Sequence, residues 1–409
     1  MITIKPFEAL RPQPQLAKLI ASKPYDVLSF DEVKKEVVGN PNSFLYVTRS
    51  EVALDKNVDI YSNEVYLKAQ ENLQAFIKRD IIFKESKTCF YIYSLTMGKH
   101  IQTGLVCLSS LDDYKNNLIK KHELTRPIKE NDRLQHIKFT RAHTGNVFLT
   151  YKNVAEIDDI IQKWKTNKTP IYDFIADDQI KHSLWNINEE KIVNLITKLF
   201  KEEVPFSYIA DGHHRAASAF KYYQSAEKEN IPNAAFFLTT LFPANQLKIL
   251  PYNRLVLTLN NLSEPEFLKK VEKIFLIEKM SKPVIPEAKG VFGLYLKNQW
   301  YRLIIESNIF EKSNLADQLD VAILQNLILD KILGIKDPRS DKNIDFVGGI
   351  RPIEDLTNPV NNNQAKMAFT LFPPSVSDMM ELADNDQIMP PKSTWFEPKL
   401  RDGLLTHCF

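Results

Sequence analysis

The segment from Tyr208 to Phe220 constrains the fold most, because it demands a strand, a sharp turn and a helix in direct succession. The β-branched and aromatic residues of Phe206–Ala210 predict a strand, and the alanine-rich run Ala216–Tyr223 predicts a helix. Gly212 lies between them in a chain with only 11 glycines against 22 prolines, so its glycine is more informative than usual. Together with the alternating strand and helix patterns elsewhere, this segment predicts a mixed α/β (α+β) fold.

The residues of this turn, Asp211-Gly212-His213-His214-Arg215, predict an anion site. A helix start offers backbone N–H groups and partial positive charge, and the side chains add further donors. The alternative is a capped helix whose histidines are solvated or buried. A metal site is the weaker alternative, because adjacent histidines rarely face the same ion and no HExxH motif supports them. Neither GxxxxGK[ST] nor GxGxxG occurs, which excludes a P-loop NTPase and the usual nicotinamide site.

The rest of the chain follows the same alternation. Apolar spacing predicts helices at 64–78, 155–165 and 315–333. Two further helices are predicted, one with Asn188 as its N-cap and one that begins with a Ser263–Glu266 capping box. Aromatic and β-branched runs predict strands at 89–95, 103–108, 147–151, 291–296 and 300–305. We place a boundary near Pro232, which gives an N-terminal part of residues 1–232 and a C-terminal α/β domain of residues 233–409.

Composition excludes several classes of partner. Lys and Arg total 53 against 51 Asp and Glu, a net charge of +2 without a basic stripe, so we expect no nucleic acid. No apolar run approaches the roughly 20 residues that a bilayer requires, so we expect no membrane partner. Three scattered cysteines fit neither a disulfide framework nor a zinc site, and no signal pattern opens the sequence, so a cytoplasmic location is expected.

Two further clusters are candidates for chemistry. Glu123, flanked by His122 and Arg126, could supply a carboxylate that orients a hydroxyl and cations that spread phosphoryl charge; a solvated charged loop is the alternative. The proline- and aromatic-rich tail predicts a docked C-terminus whose Lys392, Ser393 and Thr394 contact substrate, or else a tail that only packs.

At full length the chain resembles the family known as domain of unknown function 1015. The resemblance is carried by motifs in a fixed order, at residues 4–12, 24–27, 121–126, 208–215, 250–254 and 345–351 and in the tail from Met389. It implies family membership and leaves the activity open.

The His-Glu and Asp-Gly-His-His-Arg elements also resemble those of the archaeal free-serine kinase, which has the ParB/sulfiredoxin-like nucleotide-binding fold. The resemblance implies such a core with large insertions, and it implies that Glu123 is catalytic. Asp211 would assist as a base or by holding magnesium, and Gly212 with the cationic side chains His213, His214 and Arg215 would bind nucleotide phosphates. The chain departs from the kinase in two ways, because Glu123 and Asp211 are 88 residues apart and residues before 110 have no counterpart.

These features support a phosphotransferase that makes O-phosphoserine from serine and ATP or ADP, with magnesium as cofactor. Two alternatives stay open: a phosphoserine phosphatase that uses the same site, and a non-catalytic nucleotide-binding regulator. The sequence leaves the oligomeric state of the protein open.

Overall fold

The computed structural model describes residues 1–226, 231, 233–306 and 314–409. They form a mixed α/β fold, as predicted, and pack as two units. The first unit contains Met1–Lys121, Thr125–Leu247 and Pro398–Phe409; the second contains His122–Leu124 and Lys248–Glu397. Pro232, at the predicted boundary, lies outside the described residues, and the division into 1–232 and 233–409 stays a prediction.

The first unit is built on a sheet of nine described strands. From one edge the strands are Ile119–Lys120, Ser207–Asp211, Val147–Tyr151, Phe236–Pro243, His100–Ser110, Phe90–Met97, Lys181–Ile187 and Tyr172–Ile175, with Ile4–Lys5 also paired to His100–Ser110. Ser207–Asp211 runs parallel to Ile119–Lys120 and antiparallel to Val147–Tyr151. Its register shifts between Ile209 and Asp211, so a bulge lies directly before the glycine turn.

Helices complete the first unit. They span Ala17–Ile20, Phe30–Val37, Leu45–Thr48, Asn63–Lys78, Leu111–Lys115, Pro127–Thr140, Ala155–Asn167, Glu190–Glu203 and His213–Ala226. The main core joins strand residues Leu105 and Leu149 to helix residues Ile157, Ile196 and Phe200, all buried. Two short pairs lie outside the large sheet: Leu10–Pro12 with Ile82–Lys84, and Ala142–His143 with His407–Cys408.

The second unit has an antiparallel sheet of six described strands. Their order is Phe275–Met280, Gln299–Ile305, Val291–Leu296, Met367–Thr370, Tyr252–Val256 and Ile344–Gly348. The α-helices are Glu264–Val271, Asp320–Leu324, Glu354–Asn361 and Val376–Asp384, and Ile249–Leu250 pairs with Trp395–Phe396. The capping box at Ser263 is present, as predicted. Among all described helices, none combines the length and the apolar composition that a bilayer crossing requires.

Two predictions about helices are wrong. The helix after Asn188 begins at Glu190, with Glu189 at its N-cap and no capping side chain, so Asn188 lies outside it. The helix expected at 315–333 is broken, because Leu319 has extended backbone angles. A short α-helix follows from Asp320, and Gln325–Asp330 forms a π-helix. The buried Asp320 carboxylate accepts the Gly290 N–H at 2.9 Å, a tertiary bond that local periodicity does not report.

The last twelve residues are docked in the first unit. Asp402 and Ser22 exchange backbone hydrogen bonds of 2.8 and 3.1 Å, and Leu10 pairs in the same way with Thr406. Gly403 has a φ of +87°, and a Cβ at this position would lie 2.6 Å from Cγ of Phe44. At position 403 the tail therefore packs so closely that an added Cβ would overlap Phe44.

Replacing Gly403 with alanine tests how tightly this tail is held. The left-handed backbone and the contact with Phe44 act together, so we expect Gly403→Ala to lower the free energy of unfolding by about 3 kcal/mol in urea titrations. Gly98→Ala is the matched control, because Gly98 has a φ of +58° but no atom within 4 Å of the added carbon. It should cost only about 1 kcal/mol. Equal losses in the two variants would contradict the tight packing of the tail.

Candidate functional site

The predicted anion turn joins a bulged strand to a helix, as its sequence requires. Gly212 has a φ of +100°, and a Cβ there would lie 3.0 Å from Nε of Arg215. Hydrogen bonding within the helix begins with the Ala216 N–H, which donates to the Gly212 carbonyl at 3.0 Å. The preceding N–H groups lie outside the helix's own ladder, where the helix dipole favours negative charge. We call Asp211–Arg215 the 211–215 turn.

Arg215 points back beneath this turn. Only 9% of its side chain is exposed, Nη1 donates to the carbonyl of Asn146, and Nη2 lies 3.6 Å from Oδ2 of Asp211. Burial works against its charge, but the carboxylates of Asp211, Asp26 and Asp402 outweigh burial and raise the pKa of Arg215. Arg215 is therefore a permanent cation that supports the turn from inside.

The two histidines of the turn differ in exposure. His213 is buried, whereas His214 is half-buried and its Nε2 accepts the backbone N–H of Arg126 at 3.0 Å. Because Nε2 acts as an acceptor here, a neutral His214 carries its proton on Nδ1. Arg126 itself is exposed and is the N-cap of the helix Pro127–Thr140. This bond ties the start of that helix to the turn.

The helix Pro127–Thr140 places charged groups in the interior. Its sequence alone suggests a polar segment at the surface. Glu130, Asp132 and His136 are all buried. Asp132 lies 3.0 Å from Nη2 of Arg133 and accepts the Tyr66 hydroxyl at 3.0 Å. Burial alone would raise the pKa of Glu130, but hydrogen bonds from Lys221 and Thr125 outweigh it and lower that pKa. The buried polar groups are thus paired, which makes the helix stable despite its composition.

A small cavity lies behind the turn, lined by Arg133, His136, His143, Arg215 and Asp402 among others. Its volume is about 30 Å³, room for one or two water molecules and too little for a nucleotide.

Lys399 is a site residue that the sequence interpretation missed. Its Nζ lies 3.0 Å from Oδ2 of Asp211, and only 13% of its side chain is exposed. The tail was expected to dock, with Lys392, Ser393 and Thr394 as its substrate contacts. No local pattern distinguishes Lys399 from the other 52 Lys and Arg residues, so only the fold shows where it lies.

A magnesium ion at Asp211 does not fit this arrangement. Oδ2 of Asp211 lies 3.0 Å from the Lys399 ammonium and 3.6 Å from the Arg215 guanidinium. A divalent cation on the same oxygen would be repelled by both groups, and magnesium demands a near-ideal octahedron of oxygen ligands. We therefore derive no step through a metal bound to Asp211.

The other predicted residues belong to the second unit. Glu123 is half-buried and lines a pocket of about 350 Å³ with Lys336, Arg339 and Met389 among others. His122 is buried, and its carbonyl accepts the Met389 N–H at 2.8 Å. Lys392 is exposed, Thr394 is half-buried, and Ser393 is buried with its hydroxyl bonded to the Pro390 carbonyl at 2.5 Å. Ser393 is thus held by the tail's own backbone.

Removing Arg215 should weaken the fold as well as the site. Arg215→Ala leaves the carbonyl of Asn146 without its buried donor and removes one cation from Asp211, so we expect the free energy of unfolding to fall by about 2 to 3 kcal/mol. Urea titration followed by circular dichroism measures this loss. Arg79→Ala, at an exposed helix C-cap, is the control and should change stability by less than about 0.5 kcal/mol. An equally small effect at Arg215 would show that its buried contacts contribute nothing.

The buried carboxyl of Asp402 should make stability depend on pH. Burial raises its pKa, Arg215 lowers it and Asp26 raises it again, with a result of about 7. The folded chain then holds a proton that the unfolded chain releases near pH 4, so this stabilisation is complete at low pH and is lost as pH rises through 7. We expect Asp402→Asn, relative to the parent protein, to gain about 2 kcal/mol of unfolding free energy between pH 5 and pH 8.

The comparison of the two proteins at each pH cancels the titration of the groups that Asp402 does not influence. Asp177→Asn serves as the control, because its side chain is fully exposed. Its difference from the parent should stay flat over the same range. A flat difference for Asp402→Asn would mean that this carboxyl titrates normally.

Comparison with solved structures finds matches of low similarity to this chain. A conserved hypothetical protein from Pyrococcus furiosus has 13% identity, covers 74% of this chain and 94% of its own, and gives a TM-score of 0.37. A free serine kinase in complex with AMP has 12% identity, covers 74% and 92%, and gives 0.36. SbnI with a C-terminal truncation, from Staphylococcus aureus, has 10% identity, covers 73% and 85%, and gives 0.39. Scores of this size carry no argument.

Among curated proteins, none matches the sequence. A family model does match, over residues 4–322, which is more than three quarters of the chain, and its description is protein of unknown function (DUF1015). The chain therefore belongs to the DUF1015 family.

Proposed function

We propose that this protein binds nucleotide phosphates at the 211–215 turn and transfers a phosphoryl group to a small hydroxyl amino acid, free serine being the first candidate. The observation that carries the proposal is the turn itself: a bulged strand, Gly212 at a φ of +100°, and a helix that starts at His213. Backbone N–H groups at such a helix start bind phosphate oxygens without further side chains.

The charges around the turn support the same chemistry. Arg215 and Lys399 both lie within 4 Å of the Asp211 carboxylate and place two cations at the turn. Cations at this place favour a ligand that carries negative charge. Transfer of a phosphoryl group requires little more from a protein than positioning and charge of this kind.

The acceptor end of the proposal rests on the motif resemblance. Glu123 matches the catalytic glutamate of the free-serine kinase, in a His-Glu element at the same place in the motif order. As a carboxylate it would accept the proton of the serine hydroxyl while that oxygen bonds to phosphorus and the bond to the nucleotide's leaving oxygen breaks. Magnesium enters the proposal only as a companion of the nucleotide.

Formation of O-phosphoserine tests the proposal. The protein is incubated with serine and magnesium and with either ATP or ADP, and the product is measured by mass spectrometry. Loss of the proton acceptor should reduce the rate in Glu123→Gln by about a hundredfold or more. Glu156→Gln, in the exposed first turn of the helix Ala155–Asn167, is the control and should keep the parent rate.

Other outcomes identify the alternatives. Release of phosphate from O-phosphoserine without formation of phosphoserine would assign the site to a phosphatase, with water in place of the serine hydroxyl. Nucleotide binding without turnover of either compound would favour a regulatory protein. If no nucleotide binds, the proposal is wrong at its phosphate end.

A further inference from the structure

We infer that Lys399, carried by the C-terminal tail, is a phosphate-binding residue of the 211–215 turn, where it supplies the positive charge that a metal ion on Asp211 would otherwise provide. The inference rests on the proposed function, because it takes phosphate as the ligand of the turn. It adds to the turn a residue from the C-terminal tail, far along the chain from Asp211. The motif itself contains no lysine.

The position of Lys399 supports this role. Its ammonium lies 3.0 Å from the carboxylate of Asp211, the residue directly before Gly212 and the helix start. An ammonium can donate three hydrogen bonds in different directions and acts on phosphate as a point charge. A group held this close to the helix start adds its charge to the same anion site.

The tail holds Lys399 from both sides. On one side the Pro398 carbonyl accepts a hydrogen bond of 3.1 Å from Nε2 of Gln102. On the other side the Arg401 N–H donates to the Tyr93 hydroxyl at 3.3 Å, and the Arg401 guanidinium pairs with Asp178. These partners belong to the first unit and leave the backbone around Lys399 little freedom. Binding an anion therefore requires little ordering of the lysine, which favours affinity.

Asp211 acquires a different role in this arrangement. It lies between Lys399 and Arg215 and holds both cations at the turn. A bare carboxylate at this place would repel phosphate, whereas the two cations offset the charge of Asp211. We assign Asp211 the positioning of the cations. The competing explanation is that the Lys399–Asp211 pair only fastens the tail.

Binding measured without any metal separates the two explanations. Dissociation constants for ADP and for pyrophosphate are determined by calorimetry in EDTA. Lys399→Met should weaken both ligands about tenfold or more, because a charge-assisted bond to phosphate is lost, and Lys399→Arg should recover most of the affinity. Lys198→Met, on the exposed face of the helix Glu190–Glu203, is the matched control and should bind as the parent does.

Asp211→Asn provides the decisive second variant. It serves as the reference for the double variant Asp211→Asn/Lys399→Met, which should bind ADP about tenfold more weakly than Asp211→Asn does, because only the double variant lacks the ammonium group. The double variant also avoids a half-buried carboxylate that has lost one of its two cations, so a folding defect in Lys399→Met does not obscure the result.

Each outcome bears on one statement. The inference is wrong if Lys399→Met binds as the parent does and the double variant binds as Asp211→Asn does, and the pair then only fastens the tail. It is also wrong if magnesium tightens ADP binding in the parent and not in Asp211→Asn, because Asp211 then binds the metal. Failure of the parent protein to bind either ligand would defeat the proposed function instead.

Discussion

The charge of Arg215 links the candidate site to the interior of the first unit. A guanidinium that is nine-tenths buried must be matched by carboxylates and carbonyls, because an unmatched charge in the interior costs several kcal/mol. Its partners come from distant parts of the chain. Asn146 lies directly before the strand Val147–Tyr151, Asp211 lies in the turn, and Asp402 lies in the tail. The turn therefore keeps its shape only when all these segments are in place. The geometry of the turn is a property of the whole unit.

Local patterns predict the turn well and its surroundings poorly. Strand, glycine and helix are each favoured by nearby residues, and the structure has them at Ser207–Asp211, Gly212 and His213–Ala226. The helix Pro127–Thr140 shows the opposite case. Its buried Asp132 and His136 are stable there because Tyr66 and the carbonyl of Val47, from other helices, bond to them. A sequence pattern does not contain such partners, so polar residues of this kind are interpreted as surface.

The same reasoning explains why Lys399 could not be selected in advance. Its importance depends on where the tail crosses the first unit, and that path is set by pairings such as Ser22 with Asp402 and Ala142–His143 with His407–Cys408. The sequence predicts that the tail docks, since it is rich in prolines and aromatic residues. It does not predict which of its lysines faces Asp211. Glu123 differs again, because its role as a catalytic base stays a prediction from the motif resemblance.

The return of the chain to the first unit has a consequence for folding during synthesis. Residues 398–409 leave the ribosome only after the whole of 248–397, yet they belong to the unit that contains Met1–Lys121. Until then Asp211 lacks Lys399, and the space that Gly403 occupies beside Phe44 is open. The nascent first unit must wait for the time needed to translate about 150 further residues, several seconds or more. The pairing of Lys399 with Asp211 therefore forms only after residues 248–397 have been synthesised.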